Sequence, residues 1–290
     1  MLRIRNRGHQ HRKARYDLTG RTVAITGSTG GLGSALAAAL HARGANLALF
    51  DLNADSVAAQ AAALGPERSC RGWAADVRDL PSLYAGFASA EAHFGRIDVV
   101  IANAGVACVS PLETMDPALW ERVIDVNLSG VWRTFRSALP YVKEHRGYLL
   151  AVSSMAAFVH SPLNGPYVAS KAGVWALCDA TRLEVRHYGV AVGSVHPTFF
   201  KTPMMDEVHS DPAGTTIWGG NARGLWKMIP LADVVDSIVS GIERRAAMIV
   251  PTRQNAIAAR VPGLIRPVVD RIGFRGNMIP DAIAQVGERT

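Results

Sequence analysis

Tyr167 and Lys171 stand four residues apart in GPYVASKAG, just after Gly165 and Pro166. Four residues is about one helical turn, so a helix here sets a phenol and an amine on one face. A free tyrosine has a pKa near 10 and is a poor base at neutral pH. Positive charge close by favours the phenolate, and bringing the group toward 7 takes roughly 4 kcal/mol of differential interaction. Such a tyrosine would exchange a proton with a substrate oxygen near operating pH. Taken alone, the pair also reads as an ordinary surface contact, so its surroundings must decide.

A second stretch with chemical potential is ITGSTGGLG, whose key glycines are Gly27, Gly31 and Gly33. The spacing is GxxxGxG, not the GxGxxG of the commonest dinucleotide fingerprint. Glycines there let the backbone approach a pyrophosphate, while a helix N-terminus supplies N–H groups and a positive dipole end. Asp51 closes the apolar run NLALFD about 20 residues later. A carboxylate at that point accepts hydrogen bonds from an adenosine ribose and repels a 2′-phosphate. No Arg or Lys lies in Ser28–Gly30 or Leu52–Asn53 to attract that phosphate, so NAD(H) is expected over NADP(H). The competing role for Asp51 is to cap the helix that follows.

These groups need a scaffold, and the chain alternates strand-like and helix-like segments from residue 21 onward. RTVAITG, NLALFD, SCRGWAADV, IDVVIANAG, GYLLAVSS, GVAVGSVHP and AAMIVP read as about seven strands, separated by helical patterns. Most are continuous apolar runs, as expected when helices cover both faces of a parallel sheet. Repeated βα units predict an α/β fold, one doubly wound, Rossmann-type parallel sheet in a single domain over 18–250. Residues 198–230 interrupt the rhythm with an insertion rich in Gly, Pro, Met and Trp, read as a lid. Residues 251–290 form a C-terminal extension of apolar and arginine residues broken by Pro262, Pro267 and Pro280.

The 290 residues are 49% hydrophobic and carry a net charge of +7. That charge sits at the ends. Residues 1–16 hold six Arg or Lys and no acid, residues 17–250 hold 19 basic and 21 acidic, and residues 251–290 hold 6 and 3. A near-neutral body argues against nucleic acid as a partner. The basic arm, residues 1–17, has no apolar stretch behind it and does not read as a secretory signal. It reads as a disordered terminus, with loose attachment to an anionic membrane as the rival reading. No run of eighteen apolar residues predicts a transmembrane span. Cys70, Cys108 and Cys178 are too scattered for a disulfide framework or zinc site and read as small apolar fillers in a reducing, cytoplasmic setting.

With these motifs in order, the chain resembles the short-chain dehydrogenase/reductase family over roughly residues 18–250. TGSTGGLG looks like the family's cofactor loop, which implies contacts from Gly27, Ser28, Thr29, Gly31, Leu32 and Gly33. Asp76 in AADV matches the aspartate that contacts adenine, with Val77 beside it, and ANAG (Ala102 to Gly105, including Asn103 and Ala104) is similar to the family's NNAG. Asn127 in VIDVNLSG matches the catalytic asparagine, and Ser154 lies 13 residues before Tyr167, the spacing of the catalytic serine. HPTFFKTPM resembles PGxxxTxM, with Pro197 in place, Thr198 where glycine is usual, and Thr202 matching the residue that holds the nicotinamide carboxamide.

The resemblance implies that Tyr167 exchanges the substrate proton and Ser154 stabilises the substrate oxygen. It gives Lys171 the nicotinamide ribose and gives Asn127 a water that links the lysine to solvent. No metal is needed. A homo-oligomer, dimer or tetramer, is expected on the same ground. Two other readings compete. A serine hydrolase would need a GxSxG elbow, which is absent, so His196 is read as structural. A non-catalytic NAD(H)-binding sensor or scaffold of the same fold is the alternative function, set against four filled catalytic positions. Phe199, Phe200, Met204, Met205, Trp218, Trp226 and Met228 in the insertion suit a hydrophobic secondary alcohol or ketone, the competing role being to pack the lid or a subunit contact. The arginine-studded tail could extend that pocket, touch a neighbouring subunit or rest on a membrane.

Overall fold

The strands form because β-branched and leucine-rich runs gain most from burial on both faces of a sheet. Residues 15–222 and 224–287 are described by a computed structural model. Seven parallel strands line up in the order β3-β2-β1-β4-β5-β6-β7. They are β1 (Thr22–Thr26), β2 (Asn46–Asp51), β3 (Cys70–Ala74), β4 (Val99–Ala102), β5 (Tyr148–Val152), β6 (Ala191–Val195) and β7 (Met248–Ile249).

Alternate side chains divide between two cores. Val23, Ile25, Leu47, Leu49, Val99 and Ile101 face one way, against α1 (Gly31–His41), α2 (Ala54–Leu64) and a later helix over Leu231–Glu243. Ala24, Ala48, Phe50, Val100 and Ala102 face the other, against α3 (Leu80–Phe94) and the helices that follow β4 and β5. The second face takes several alanines, which leave room for Phe87 and Phe135.

The long segment after β4 is two helices, α4 (Pro117–Ile124) and α5 (Gly130–Glu144), joined by one π-helical turn over Asp125–Ser129. Then come α6 (Gly165–Val185), which carries Tyr167 and Lys171, and the insertion. The insertion is not an open loop. Residues 198–230 contain α7 (Pro203–Ser210), α8 (Pro212–Trp218) and two short helical turns. After α9 (Leu231–Glu243) and β7, the extension folds as α10 (Arg253–Arg260), α11 (Pro262–Gly273) and α12 (Met278–Gly287). Its prolines do not prevent this. Pro262 opens α11, where a missing N–H costs nothing.

Residues 1–14 of the basic arm lie outside the described residues. The end of the arm is tied down, contrary to the reading of 1–17 as one loose unit. The Tyr16 N–H donates to the Glu243 carbonyl at 2.7 Å, and the Arg21 guanidinium stacks 4.2 Å above the Tyr16 ring. Among the described residues no helix is long and apolar enough to cross a membrane.

Strand order reverses direction between β1 and β4, so the loops leaving their carboxyl ends diverge and open a crevice. Every motif singled out above leaves the sheet at that end.

Candidate active site

The glycine loop is shaped by what its neighbours leave room for. Gly27 takes φ +64°, and a side chain there would meet the Ala104 Cα at 2.7 Å. Gly33 presses against the Gly27 carbonyl, with Asn103 Nδ2 and the Ser28 Cα only 2.9 Å from where a Cβ would stand. Asn103 fastens this arrangement: its Nδ2 donates to the carbonyls of Thr26 (3.1 Å) and Gly27 (2.8 Å). A Cβ on Gly31 would touch Thr202 Cγ2 at 3.0 Å, so the post-β6 loop closes one side of the same cradle.

Side chains of this loop divide between core and crevice. Ser28 is fully buried, donates to Gln60 Oε1 at 2.8 Å, and receives Gln60 Nε2 on its carbonyl at 2.7 Å. Leu32 is buried in the core, so only its backbone faces the loop. Thr29 is exposed, and both its N–H (2.9 Å) and hydroxyl (2.7 Å) donate to Asp51 Oδ2. Asp51 does not cap α2; Asn53 does, accepting from the Ser56 N–H. The Asp51 carboxylate therefore stands at the end of β2, beside the glycine loop.

On the far side of the cradle, Asp76 is held by Arg78, whose side chain and N–H donate to it at 2.7–3.1 Å and keep its carboxyl below the usual range. The sequence reading had no place for Arg78. Val77 is buried and packs against Gly130, at the end of the π turn.

A glycine cradle, helix N–H groups and a carboxylate at the end of β2 fit a dinucleotide. Gly31, Leu32 and Gly33 would hold its phosphates through their N–H groups beside Gly27, and Asp51, held by Thr29, its adenosine ribose.

The proton-handling side chains meet at the ends of β4 and β5. Ser154 follows β5 and caps a 3-10 turn; its Oγ accepts from the Ala156 N–H at 3.1 Å, which leaves the hydroxyl proton free to donate. Burial pushes the Tyr167 phenol above 10, while a hydrogen bond with Ser154 pulls it down and the Cys108 thiol nearby raises it. Lys171 is buried, with Nζ 5.4 Å from the Tyr167 ring centroid and donating to the Val152 carbonyl at 2.9 Å. Desolvation lowers its pKa to about 8.

Of the two charges expected to make the tyrosine acidic, Lys171 and the ring of an oxidised nicotinamide, the lysine by itself leaves the phenol above its ordinary value. Lys171 lies over the ring face, spends a proton on a carbonyl and does not offset the burial of the phenol. At neutral pH Tyr167 keeps its proton.

Asn127 sits in the π turn, fully buried. Its Nδ2 donates to the Val106 carbonyl at 2.9 Å, and its Oδ1 accepts the Val106 N–H at 2.8 Å. The amide fastens the loop after β4. Gly105 passes between it and the lysine: a Cβ there would lie 3.2 Å from Asn127 Oδ1 and 3.6 Å from Lys171 Nζ. Pro197 accepts the Met155 N–H at 2.9 Å, which ties the post-β6 loop to Ser154's turn. Thr202 caps α7, with its Oγ1 accepting the Met205 N–H at 3.3 Å.

Two residues near the site were read only as filler or structure. Cys108 is buried against Asn164 and close enough to Tyr167 to affect its titration. His196 is fully buried, with Nδ1 3.2 Å from the Ser154 carbonyl and Nε2 2.9 Å from Ser194 Oγ. A carbonyl only accepts, so Nδ1 carries the proton and Nε2 accepts from Ser194. Burial drops the His196 pKa to about 4, so the ring is neutral and props Ser154 from behind. Its signal in the sequence was only its place directly before Pro197.

Above the site, Leu163, Val208, Ala213, Ile217, Trp218 and Ala282 form a separate apolar cluster. Phe199, Met205 and Trp226 pack on it, while Phe200 joins the main core. Lid and tail thus share one apolar body, which reaches Leu163, four residues before Tyr167.

Against known proteins, the family model described as short chain dehydrogenase matches residues 21–213. The chain is 33% identical over 204 residues to the D-threitol dehydrogenase of Mycolicibacterium smegmatis, covering 70% of this chain and 78% of that enzyme. It is 34% identical over 201 residues to 3beta-hydroxysteroid dehydrogenase 1 of Eggerthella lenta, covering 68% and 77%. A crystal structure of a short chain dehydrogenase/reductase from Burkholderia phymatum, in complex with NAD, superposes with a TM-score of 0.76 at 22% identity, covering 90% of this chain and 99% of that one.

Proposed function

The chain belongs to the short-chain dehydrogenase/reductase family of NAD(P)-dependent oxidoreductases acting on CH–OH groups, and from that premise we propose that it interconverts a bulky, apolar secondary alcohol and its ketone using NAD(H). The observation that carries this reading is the meeting of Ser154, Tyr167 and Lys171 beside the glycine cradle. A bound nicotinamide supplies the hydride chemistry.

The chain's own residues move the proton. Tyr167, protonated at neutral pH, donates to a carbonyl oxygen during reduction. Ser154, its hydroxyl proton free, hydrogen-bonds the same oxygen and stabilises the charge that develops there. Lys171, mostly protonated at pH 7 with its pKa at about 8, steadies the phenolate left behind. In oxidation Tyr167 must first lose its proton, so that direction is favoured by rising pH. Asn127, through Val106, and His196, through Ser154, hold the two sides of the site in position.

Preference for NAD(H) is supported by the Asp51 carboxylate beside Thr29. The apolar substrate is supported by the cluster of Leu163, Met205, Phe199 and Trp218. Relatives at 33% and 34% identity are named for a polyol and a steroid, so the apolar cluster beside Tyr167 is the guide used for this chain.

The test is a substrate panel from small polyols and hydroxy acids to steroids, followed at the NADH absorbance with both cofactors. Turnover of apolar alcohols with NAD is expected; a preference for threitol-sized polyols overturns the substrate assignment. Tyr167→Phe should bind NAD as the parent does and lose about 100-fold or more in kcat. Retention of most activity overturns the proton role.

A further inference from the structure

Ile257, Val261, Leu264, Val268 and Ile272 follow one another at intervals of three or four along α10 and α11, and all five are exposed, Leu264 to 75%. The opposite side of α11 is seated. Val269 is buried, and Gly273 lies so close to Trp226 that a Cβ would stand 2.7 Å from Cζ2. The helix is therefore held to the lid with an aliphatic stripe facing out. At 100° per residue, Leu264, Val268 and Ile272 span about 80° of arc, with Arg271 roughly 20° from its edge. Asp270, the one acid on α11, lies about 160° from the stripe's centre.

The charges around the stripe are uncompensated. Arg260, Arg266, Arg271 and Arg275 are exposed, and among the described residues none forms an ion pair. Arg266 reaches only His160 Nδ1, at 3.4 Å, and Arg260 only the Ala256 carbonyl, at 3.4 Å. A second copy docked on the stripe by a two-fold would bring Arg271 and Arg275 toward their own counterparts, while Arg266 and Asp270, each about 160° from the stripe's centre, stay on the other side. An anionic bilayer meets both features, with phosphates for the guanidiniums and the acyl boundary for the aliphatic side chains.

We propose that the α10–α11 face docks this protein on the surface of an anionic lipid bilayer. The helices lie in the interface and do not span it. Docking leaves α11 between the lipid and the lid residue Trp226, which packs on the helix's other side. The proposal stands apart from the substrate assignment, since it rests on exposure and charge outside the site.

The test is co-sedimentation of the full-length protein with phosphatidylcholine vesicles and with vesicles containing phosphatidylglycerol, at low and high salt. Binding to the anionic vesicles, weakened by salt, is expected. The triple variant Leu264→Gln/Val268→Gln/Ile272→Gln should bind at least about tenfold more weakly. Arg271→Gln/Arg275→Gln should lose about fivefold per arginine. Both should keep thermal melting and cofactor KM, because the replaced side chains are exposed. A full-length variant with Arg3, Arg5, Arg7, Arg12 and Lys13 changed to Gln should still bind. The proposal is overturned if that variant loses binding while the triple variant binds like the parent. It is equally overturned if the triple variant changes oligomeric state by light scattering and keeps its vesicle affinity.

Discussion

Ser154 is positioned at both its side chain and its backbone: Oγ accepts the Ala156 N–H, with the hydroxyl turned to Tyr167, and its carbonyl accepts from His196. His196 can do this only while neutral. With a folded pKa of about 4 against an ordinary 6.5, it resists a proton that the unfolded chain accepts. Stability carried by the neutral ring is present above pH 6.5 and is lost as pH falls toward 4, by about 3 kcal/mol. Urea melts at pH 7 and pH 4.5 should show this loss in the parent and a smaller one in His196→Asn. His196→Phe, which removes the donor, should lower kcat about tenfold with little change in cofactor KM, and His196→Asn should recover part of it. Equal kcat in all three would leave His196 without a positioning role. Asp51 makes a second residue-scale case. Asp51→Ala should cut the preference for NAD over NADP about tenfold or more, measured as the ratio of kcat/KM values.

Elements place these groups by contact, and one close contact is between α1 and the loop that precedes it. Gly33 is often thought of as room for a ligand, yet here the space it lacks is already filled by the Gly27 carbonyl, Asn103 and Ser28. Gly33→Ala should therefore act on the fold as well as on the cofactor. A loss of about 2 kcal/mol in denaturant stability is expected without any cofactor present; a purely ligand-directed glycine would show none. The π turn works in the same way. One extra residue per turn over Asp125–Ser129 lets Asn127 reach back to both backbone groups of Val106. That contact sets the path of Gly105 between the asparagine and the lysine.

At the scale of the molecule, the tail completes the lid. Ala282 of α12 is fully buried in the cluster with Trp218 and Ile217, and Thr216 donates to Gln285 Oε1 at 2.9 Å. Ala282→Asp would place a charge there and should detach α12. The expected result is a higher substrate KM with an unchanged cofactor KM, together with new proteolytic cleavage within 253–287. A substrate KM equal to the parent's would mean that the tail does not support the substrate side.

The order of strands and helices was legible in the chain itself, whereas Ser154 was picked out by the family resemblance. Glycine spacing, apolar runs and residue intervals are local patterns, and local backbone geometry follows from them. What only the tertiary structure decided depends on partners distant in sequence. Tertiary surroundings desolvate the Tyr167 phenol and raise its pKa, although a lysine stands four residues away. Asn127 is turned onto Val106, 21 residues upstream, and His196 onto Ser154, 42 residues upstream. The arginine-rich tail was open to three readings because its periodicity shows a helix without showing which face is covered. Seating Gly273 on Trp226 settled that, and left the aliphatic stripe outside.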